Sequence, residues 1–155
     1  MFKAAMCILI VICSAIIGCS YSNRLYKRRD ILKSFVTQLS RCSTYMRYSS
    51  SELSALFRDN FMNYKFVDSK PFNIQWDDML SEYQSLLTDG DIQVLRDFAK
   101  NLGATDAIGQ QENFELYLQM INRCVESAEE DIVKKSKLYK SLGISFGITL
   151  SIVLI

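Results

Sequence analysis

Residues 4–23 read AAMCILIVICSAIIGCSYSN and residues 141–155 read SLGISFGITLSIVLI. Neither stretch carries a charge, although the chain has 18 Lys and Arg and 17 Asp and Glu, all between Lys3 and Lys140. As an α-helix the first stretch rises about 30 Å, the thickness of a bilayer's hydrocarbon core. The second rises about 22 Å, and it spans when the helix extends through Leu138 and Tyr139 or when Lys137 and Lys140 snorkel to the interface. The expectation is an apolar helix at each end of a polar domain. It divides the chain into a transmembrane helix over 1–23, a helical-bundle domain over 24–140, and a transmembrane or membrane-embedded helix over 141–155.

The distribution of Lys and Arg gives an orientation. Lys3 alone precedes the first apolar run, whereas Arg24, Lys27, Arg28, Arg29 and Lys33 follow it. Lys134, Lys135, Lys137 and Lys140 precede the second run. Both biases place the middle domain in the cytoplasm and both termini outside. A competing reading takes Ile16-Ile17-Gly18-Cys19 as a lipoprotein cleavage box, with Cys19 lipidated and an extracytoplasmic helical binding domain. The five basic residues just after Cys19 resist export, and export leaves the second apolar end unexplained.

One proline, Pro71, and six glycines across 155 residues favour long helices over strands. Apolar residues recur at helical spacing in successive segments. Leu25, Leu32, Phe35, Val36, Leu39, Cys42 and Met46 mark a first helix that runs on from the apolar start and stops near Tyr48. Ser49 and Glu52 fit a capping box for a short helix carrying Leu53, Leu56, Phe57 and Phe61. Residues 63–73 read as a connection. Ile74, Trp76, Met79, Leu80, Tyr83, Leu86 and Leu87 mark a third helix. Thr88-Asp89-Gly90-Asp91 caps a fourth, with Ile92, Leu95, Phe98, Ala99 and Leu102 on its apolar face and Gly103 at its left-handed end. Thr105 or Asp106 caps the longest helix, with Phe114, Leu118, Ile121, Val125, Ala128 and Ile132 as its stripe; no proline or glycine interrupts residues 110–142. The fold class expected is all-α, a membrane-anchored bundle of about five to six helices.

Chemistry is sparsely represented. The chain has no histidine, which removes the commonest general base and the commonest metal ligand. There is no glycine-rich phosphate loop. Glu129, Glu130 and Asp131 splay around a helix and do not converge on one ion. Cys7, Cys13 and Cys19 lie in the apolar start, and Cys42 and Cys124 lie far apart without C-x-x-C spacing, so they read as small apolar-like residues. No enzymatic activity, cofactor or nucleic-acid partner is expected. Charge is polarised. From Arg24 to Lys65 nine basic residues against three acidic give +6, whereas from Asp68 to Asp131 four against fourteen give −10. Asp77, Asp78, Glu82, Asp89, Asp91 and Asp97 in the acidic block are candidate docking residues for a basic partner surface, set against the plainer reading of a solvated face.

Two segments carry a resemblance. One is Leu102-Gly103-Ala104-Thr105-Asp106 followed by Gln110. The other is Lys137-Leu138-Tyr139-Lys140-Ser141-Leu142-Gly143 leading to Gly147. With the apolar start, they resemble the stage III sporulation protein AB family of endospore-forming bacteria. The match covers the whole chain in layout and is specific in the last 55 residues. It departs around Arg41–Tyr48, where Ser43 and Tyr45 stand at positions usually acidic, and at Ser50-Ser51-Glu52-Leu53 in place of T-P-L. The resemblance implies a component of the channel that links mother cell and forespore, with a soluble domain similar to the helical domain of the inner-membrane platform in type II secretion and type IV pilus machines. It implies as partners the secretion-type ATPase of the same operon (the stage III sporulation AA protein), other channel subunits and further copies of the chain. It also implies a location in the outer forespore membrane, with the middle domain in the mother-cell cytoplasm.

Overall fold

The structure, a computed structural model, describes residues 2–48, 57, 61–67, 69–103 and 107–154; within its helices the side chains of 2–8, 10, 11, 47, 48, 107, 108, 140, 147, 148 and 150–154 are not described. Among the described residues the fold is all-helical, with one isolated β-bridge between Phe61 and Tyr64. The helices are α1 (Phe2–Tyr48), α2 (Phe72–Tyr83), α3 (Asp89–Asn101), α4 (Ala107–Asp131), a π-helical turn (Ile132–Ser136) and α5 (Lys137–Leu154). The chain divides into two compact units, one of Met1–Arg29 with Ser127–Ile155 and one of Asp30–Glu126. The basic residues Arg24–Arg29 and the Lys134–Lys140 group fall in the same unit as the apolar ends. Among the described residues no helix is long and apolar enough to cross a membrane.

The Asp30–Glu126 unit is built on an aromatic core. Trp76 is fully buried, and its indole N–H donates to the Leu95 carbonyl at 2.9 Å, so the one polar atom of the ring is satisfied inside. Phe35, Phe57, Phe61, Phe66, Phe72 and Phe98 lie with ring centroids between 5.4 and 6.4 Å from it. Phe98 in turn meets Phe114 and Tyr117 of α4 edge-on. Leu32, Phe35, Leu39 and Cys42 of α1, Leu95, Phe98 and Ala99 of α3, and Phe114, Ile121 and Val125 of α4 are buried as the spacing predicts. The Ser49–Glu52 box, the short helix after it apart from Phe57 and Phe61, and the Thr105/Asp106 cap lie outside the described residues.

Three local features depart from the sequence reading. The helix carrying Trp76 ends at Tyr83 rather than running through Leu87. On it Ile74 is exposed and Gln75 is buried. The reason is a backbone need: the Gln75 amide accepts from Val67 N–H at 2.7 Å and donates to the carbonyls of Val67 and Lys70, both at 2.8 Å. It fastens the connecting segment as a neighbouring strand would. Third, Met62 and Asn63 adopt φ of 54° and 63° in a turn closed by Tyr64 N–H to Phe61 O at 2.9 Å. Two successive positive φ values are the signature of a mirror-image turn, which glycine normally serves. Here side chains hold it. Gln38 of α1 accepts from Met62 N–H at 2.6 Å, and the Tyr83 hydroxyl donates to the Met62 carbonyl at 3.2 Å. Burial, with the Glu82 carboxylate second, raises the Tyr83 pKa and keeps that donor protonated.

Thr88 caps α3 as the sequence indicates, in a reciprocal box. Asp91 N–H donates to Thr88 Oγ1 at 3.3 Å and Thr88 N–H donates to Asp91 Oδ2 at 2.9 Å. At the other end Gly103 has φ of +82°, the left-handed position expected after Leu102. Among the described residues a Cβ there meets nothing within 4 Å, so the penalty argued here is the conformational one. Gly103→Val is expected to cost about 2 kcal/mol, since left-handed L-residues cost ~1–2 and β-branching adds to it. Gly103→Asn, which tolerates this region, recovers most of it. Thermal unfolding of the full chain checks both, with a drop of several degrees for valine only.

Burial pushes the Cys42 thiol up to about 11 from 9.0, against a smaller opposing effect of its backbone hydrogen bond. The neutral thiol's contribution to stability is fully present below pH 9 and is lost as pH rises through about 11. At pH 8 the folded chain then holds about 100-fold less Cys42 thiolate than the unfolded chain. Iodoacetamide modification followed by peptide mapping is expected to be at least ~10-fold slower at Cys42 in buffer than in denaturant.

Candidate functional site

The unit formed by the two ends of the chain is a pair of antiparallel helices. Ser14 meets Gly143, Ser22 meets Ser136 and Arg28 meets Asp131, so the numbers rise on α1 as they fall on the facing segment. Ser14, Gly18 and Ser22 lie four residues apart and share one face of α1. The two backbones approach until side chains no longer fit. A Cβ added to Gly18 stands 2.7 Å from the Tyr139 carbonyl oxygen and 3.3 Å from Gly143 Cα. One added to Gly143 stands 2.9 Å from the Ser14 carbonyl oxygen and 3.1 Å from Gly18 Cα. Small residues that admit close backbones, with hydroxyls bonding across, are how helices associate where hydrocarbon surrounds them. The Ser14 hydroxyl donates to the Gly143 carbonyl. The Ser22 and Ser136 hydroxyls, both buried, are 2.8 Å apart, and the Tyr26 hydroxyl stands 3.4 Å from Ser136.

The base of the pair is charged. Arg28, only 8% exposed in its side chain, bonds Asp131 at 2.8 Å, and Lys135 reaches the other oxygen of the same carboxylate at 2.5 Å. The π-helical turn explains how Asp131 and Ser136 both face α1. In an α-helix residues five apart point about 140° away from each other. A turn with i→i+5 bonds brings them to one side, Asp131 to Arg28 and Ser136 to Ser22. Farther round, Glu130 bonds Lys134 at 2.7 Å, which raises the lysine's pKa. The three successive acids are thus tied to basic partners or to the surface, and among the described residues no group of three His, Cys, Asp or Glu is placed to hold a metal ion.

Among the described side chains, many large apolar ones on the pair face outward. Leu9, Ile12, Ile16, Ile17, Leu138, Leu142, Ile144 and Phe146 are all about half exposed or more, with Phe146 at 65%. Among the described residues of unit Asp30–Glu126, Tyr45, Val67, Ile74 and Leu116 are exposed in the same way. Nine Lys and Arg against three acids leave the paired-end unit at +6, and nine against fourteen leave the other at −5.

The sequence-predicted residues distribute between the units. Tyr139 and Gly143 stand in the helix contact, with the Tyr139 ring 5.9 Å from that of Tyr21. Lys137 and Leu142 are exposed beside it, and Gly147 lies in α5. Leu102 and Gly103 end α3, Gln110 is buried in α4, and Asp106 lies outside the described residues. Of the candidate docking acids, Asp77, Asp78, Glu82 and Asp89 are exposed and Asp97 is half-buried. Asp77 pairs with Arg96 at 2.8 Å and Asp97 with Lys100 at 3.7 Å. Asp91 is corrected: it is 2% exposed and closes the α3 capping box, so it is no part of a docking face. Sequence reasoning missed Ser14, Gly18, Ser22 and Ser136; the i, i+4, i+8 run of small residues within an apolar stretch is the signal that finds them.

The glycine contact is testable. With the native cysteines replaced by serine, Ser22→Cys with Ser136→Cys is expected to form a disulfide readily. Gly18→Val is expected to reduce its yield several-fold, because the backbone carbonyl at 2.7 Å cannot yield as a side chain can. An unchanged yield removes the close contact.

The sequence model of the family described as stage III sporulation protein AB matches residues 3–60 and 62–155. No curated protein and no solved structure matches the chain. With nearly its whole length covered, the chain belongs to the stage III sporulation protein AB family, and its role lies in stage III of sporulation.

Proposed function

We propose that the chain is a non-enzymatic membrane platform subunit of the stage III sporulation channel between mother cell and forespore. The paired ends insert in the membrane, and the Asp30–Glu126 unit docks a cytoplasmic secretion-type ATPase. The observation that carries this reading is the antiparallel pair itself, closed by Gly18 and Gly143 and covered by exposed apolar side chains. Water penalises such a surface, and hydrocarbon does not. Because the helices are antiparallel, Arg24–Arg29 and Lys134–Lys137 gather toward one end of the pair. That is the arrangement the positive-inside rule assigns to the cytoplasmic face. The expected location is the outer forespore membrane, with Asp30–Glu126 in the mother-cell cytoplasm. The lipoprotein reading fares worse, since cleavage before Cys19 removes Ser14 and Gly18 and with them the helix contact. The non-enzymatic part rests on composition, with no histidine and no phosphate loop.

Topology is tested on a chain keeping Cys124 alone. A membrane-impermeant thiol reagent is expected to leave it unlabelled in intact cells and to label it after permeabilisation and denaturation. Labelling in intact cells reverses the orientation. Docking is tested by co-purification of the ATPase with a chain carrying Asp78→Lys, Glu82→Lys and Asp89→Lys, which are exposed acids of that unit. Recovery is expected to fall several-fold and to depend on salt in the wild type. Unchanged recovery places the ATPase on another surface.

A further inference from the structure

The Ile132–Ser136 turn holds one residue more than its contacts need. Asp131 reaches Arg28 at 2.8 Å, and Ser136 reaches Ser22 at 2.8 Å. A regular α-helix puts residues four apart on one face, so a segment one residue shorter makes both contacts with no π turn. The excess shows in the side chains. Val133 is 80% exposed, Lys134 and Lys135 are exposed too, and Ser136 alone of the five is buried. Packing therefore gives Val133 little to do, although the turn it creates is of a rare kind found frequently at functional sites.

An extra residue in a helix supplies a second register. The last turn of α4 is held by Ala128, fully buried, and by the Arg28–Asp131 pair. With that turn fixed and Ile132–Ser136 rewound as α-helix, every residue beyond it rotates by about 100°. Lys135 then comes to the place of Ser136, and Leu142 to that of Gly143. The latter place has no room for a side chain, because a Cβ on Gly143 stands 2.9 Å from the Ser14 carbonyl oxygen and 3.1 Å from Gly18 Cα. The α-helical register is thus incompatible with the close contact, and the two arrangements are discrete.

We propose that the π turn is a rotation switch for α5. In the closed register, which the structure holds, the turn is π-helical and Gly143 lies on Gly18. In the released register the turn is α-helical, the glycines part and Leu142 faces α1. Each register turns a different set of α5's apolar side chains outward, so a partner that binds one face of α5 selects between them. The switch needs only the helix contact and does not depend on the membrane reading above.

Disulfide trapping in the full chain, with the native cysteines replaced by serine, reads the register. Ser22→Cys with Ser136→Cys reports the closed register, and Ser22→Cys with Lys135→Cys reports the released one. Ser22→Cys with Lys137→Cys, one residue to the other side, reports neither. The first pair is expected to crosslink readily, the second measurably, and the third several-fold less than the second. Deleting Val133 is expected to keep the first crosslink and to lower the second several-fold, since the shortened segment has no residue to give up. Gly18→Val, which blocks closure, is expected to raise the second at the expense of the first. Equal yields at Lys135 and Lys137 mean a loosely packed helix and overturn the switch, as does a Lys135 crosslink that survives the deletion. Loss of the Ser136 crosslink on deletion overturns Val133 as the excess residue. A chain that forms the Ser136 crosslink and never the Lys135 one has a single register, and the switch falls while the helix contact stands.

Discussion

The contact of Gly18 with Gly143 is the constraint on which the paired-end unit depends. Once the backbones are that close, the Ser14 hydroxyl reaches the Gly143 carbonyl and the Ser22 and Ser136 hydroxyls reach each other. A single methyl group on either glycine meets backbone rather than a movable side chain. The hydrogen bonds are therefore consequences of the close approach, and a wider spacing loses them together. The trough that lies over the glycines is another consequence of the same missing side chains.

The charged base sets the register of that contact. Burying Arg28 costs desolvation, and a salt bridge in such a setting contributes little net stability while its disruption leaves an unpaired charge. Its effect is directional. Asp131 is shared between Arg28 and Lys135, so sliding one helix along the other by a turn breaks this ion pair. The π-helical turn is the local distortion this requires. It aligns two groups five residues apart that an α-helix points in different directions, one ionic and one hydroxylic. The irregularity thus has an assignable cause in the partners of Asp131 and Ser136.

In the Asp30–Glu126 unit two glutamines do what glycine and proline do elsewhere. Gln75 supplies three hydrogen bonds to the segment 67–70, and Gln38 holds the Met62–Asn63 turn in a conformation costly for residues with side chains. Both amides are positioned by helices whose other faces pack on the Trp76 cluster. The irregular connection is thus ordered by the core, not by its own turn chemistry. The same division explains the acidic block. Asp91 is consumed by the α3 cap, whereas Asp78, Glu82 and Asp89 remain at the surface.

What was legible in the sequence follows from which interactions repeat along it. Leu32, Phe35 and Leu39, or Ile92, Leu95 and Phe98, recur at helical period, so helices and most of the core could be read directly. Gly103 was legible because a helix end beside a new cap leaves few conformations open. Gln75 and the Met62–Asn63 turn were not, since a polar residue on an apolar face gives no hint of which backbone groups it serves. The pairing of the chain's ends was hidden for a different reason. Hydropathy registers the two apolar runs but not their faces, and in a run where nearly every residue is apolar the informative positions are the small ones. Ser14, Gly18 and Ser22 mark the contact by lacking bulk, so a reading of such segments has to follow the absence of side chains as closely as it follows hydrophobicity elsewhere.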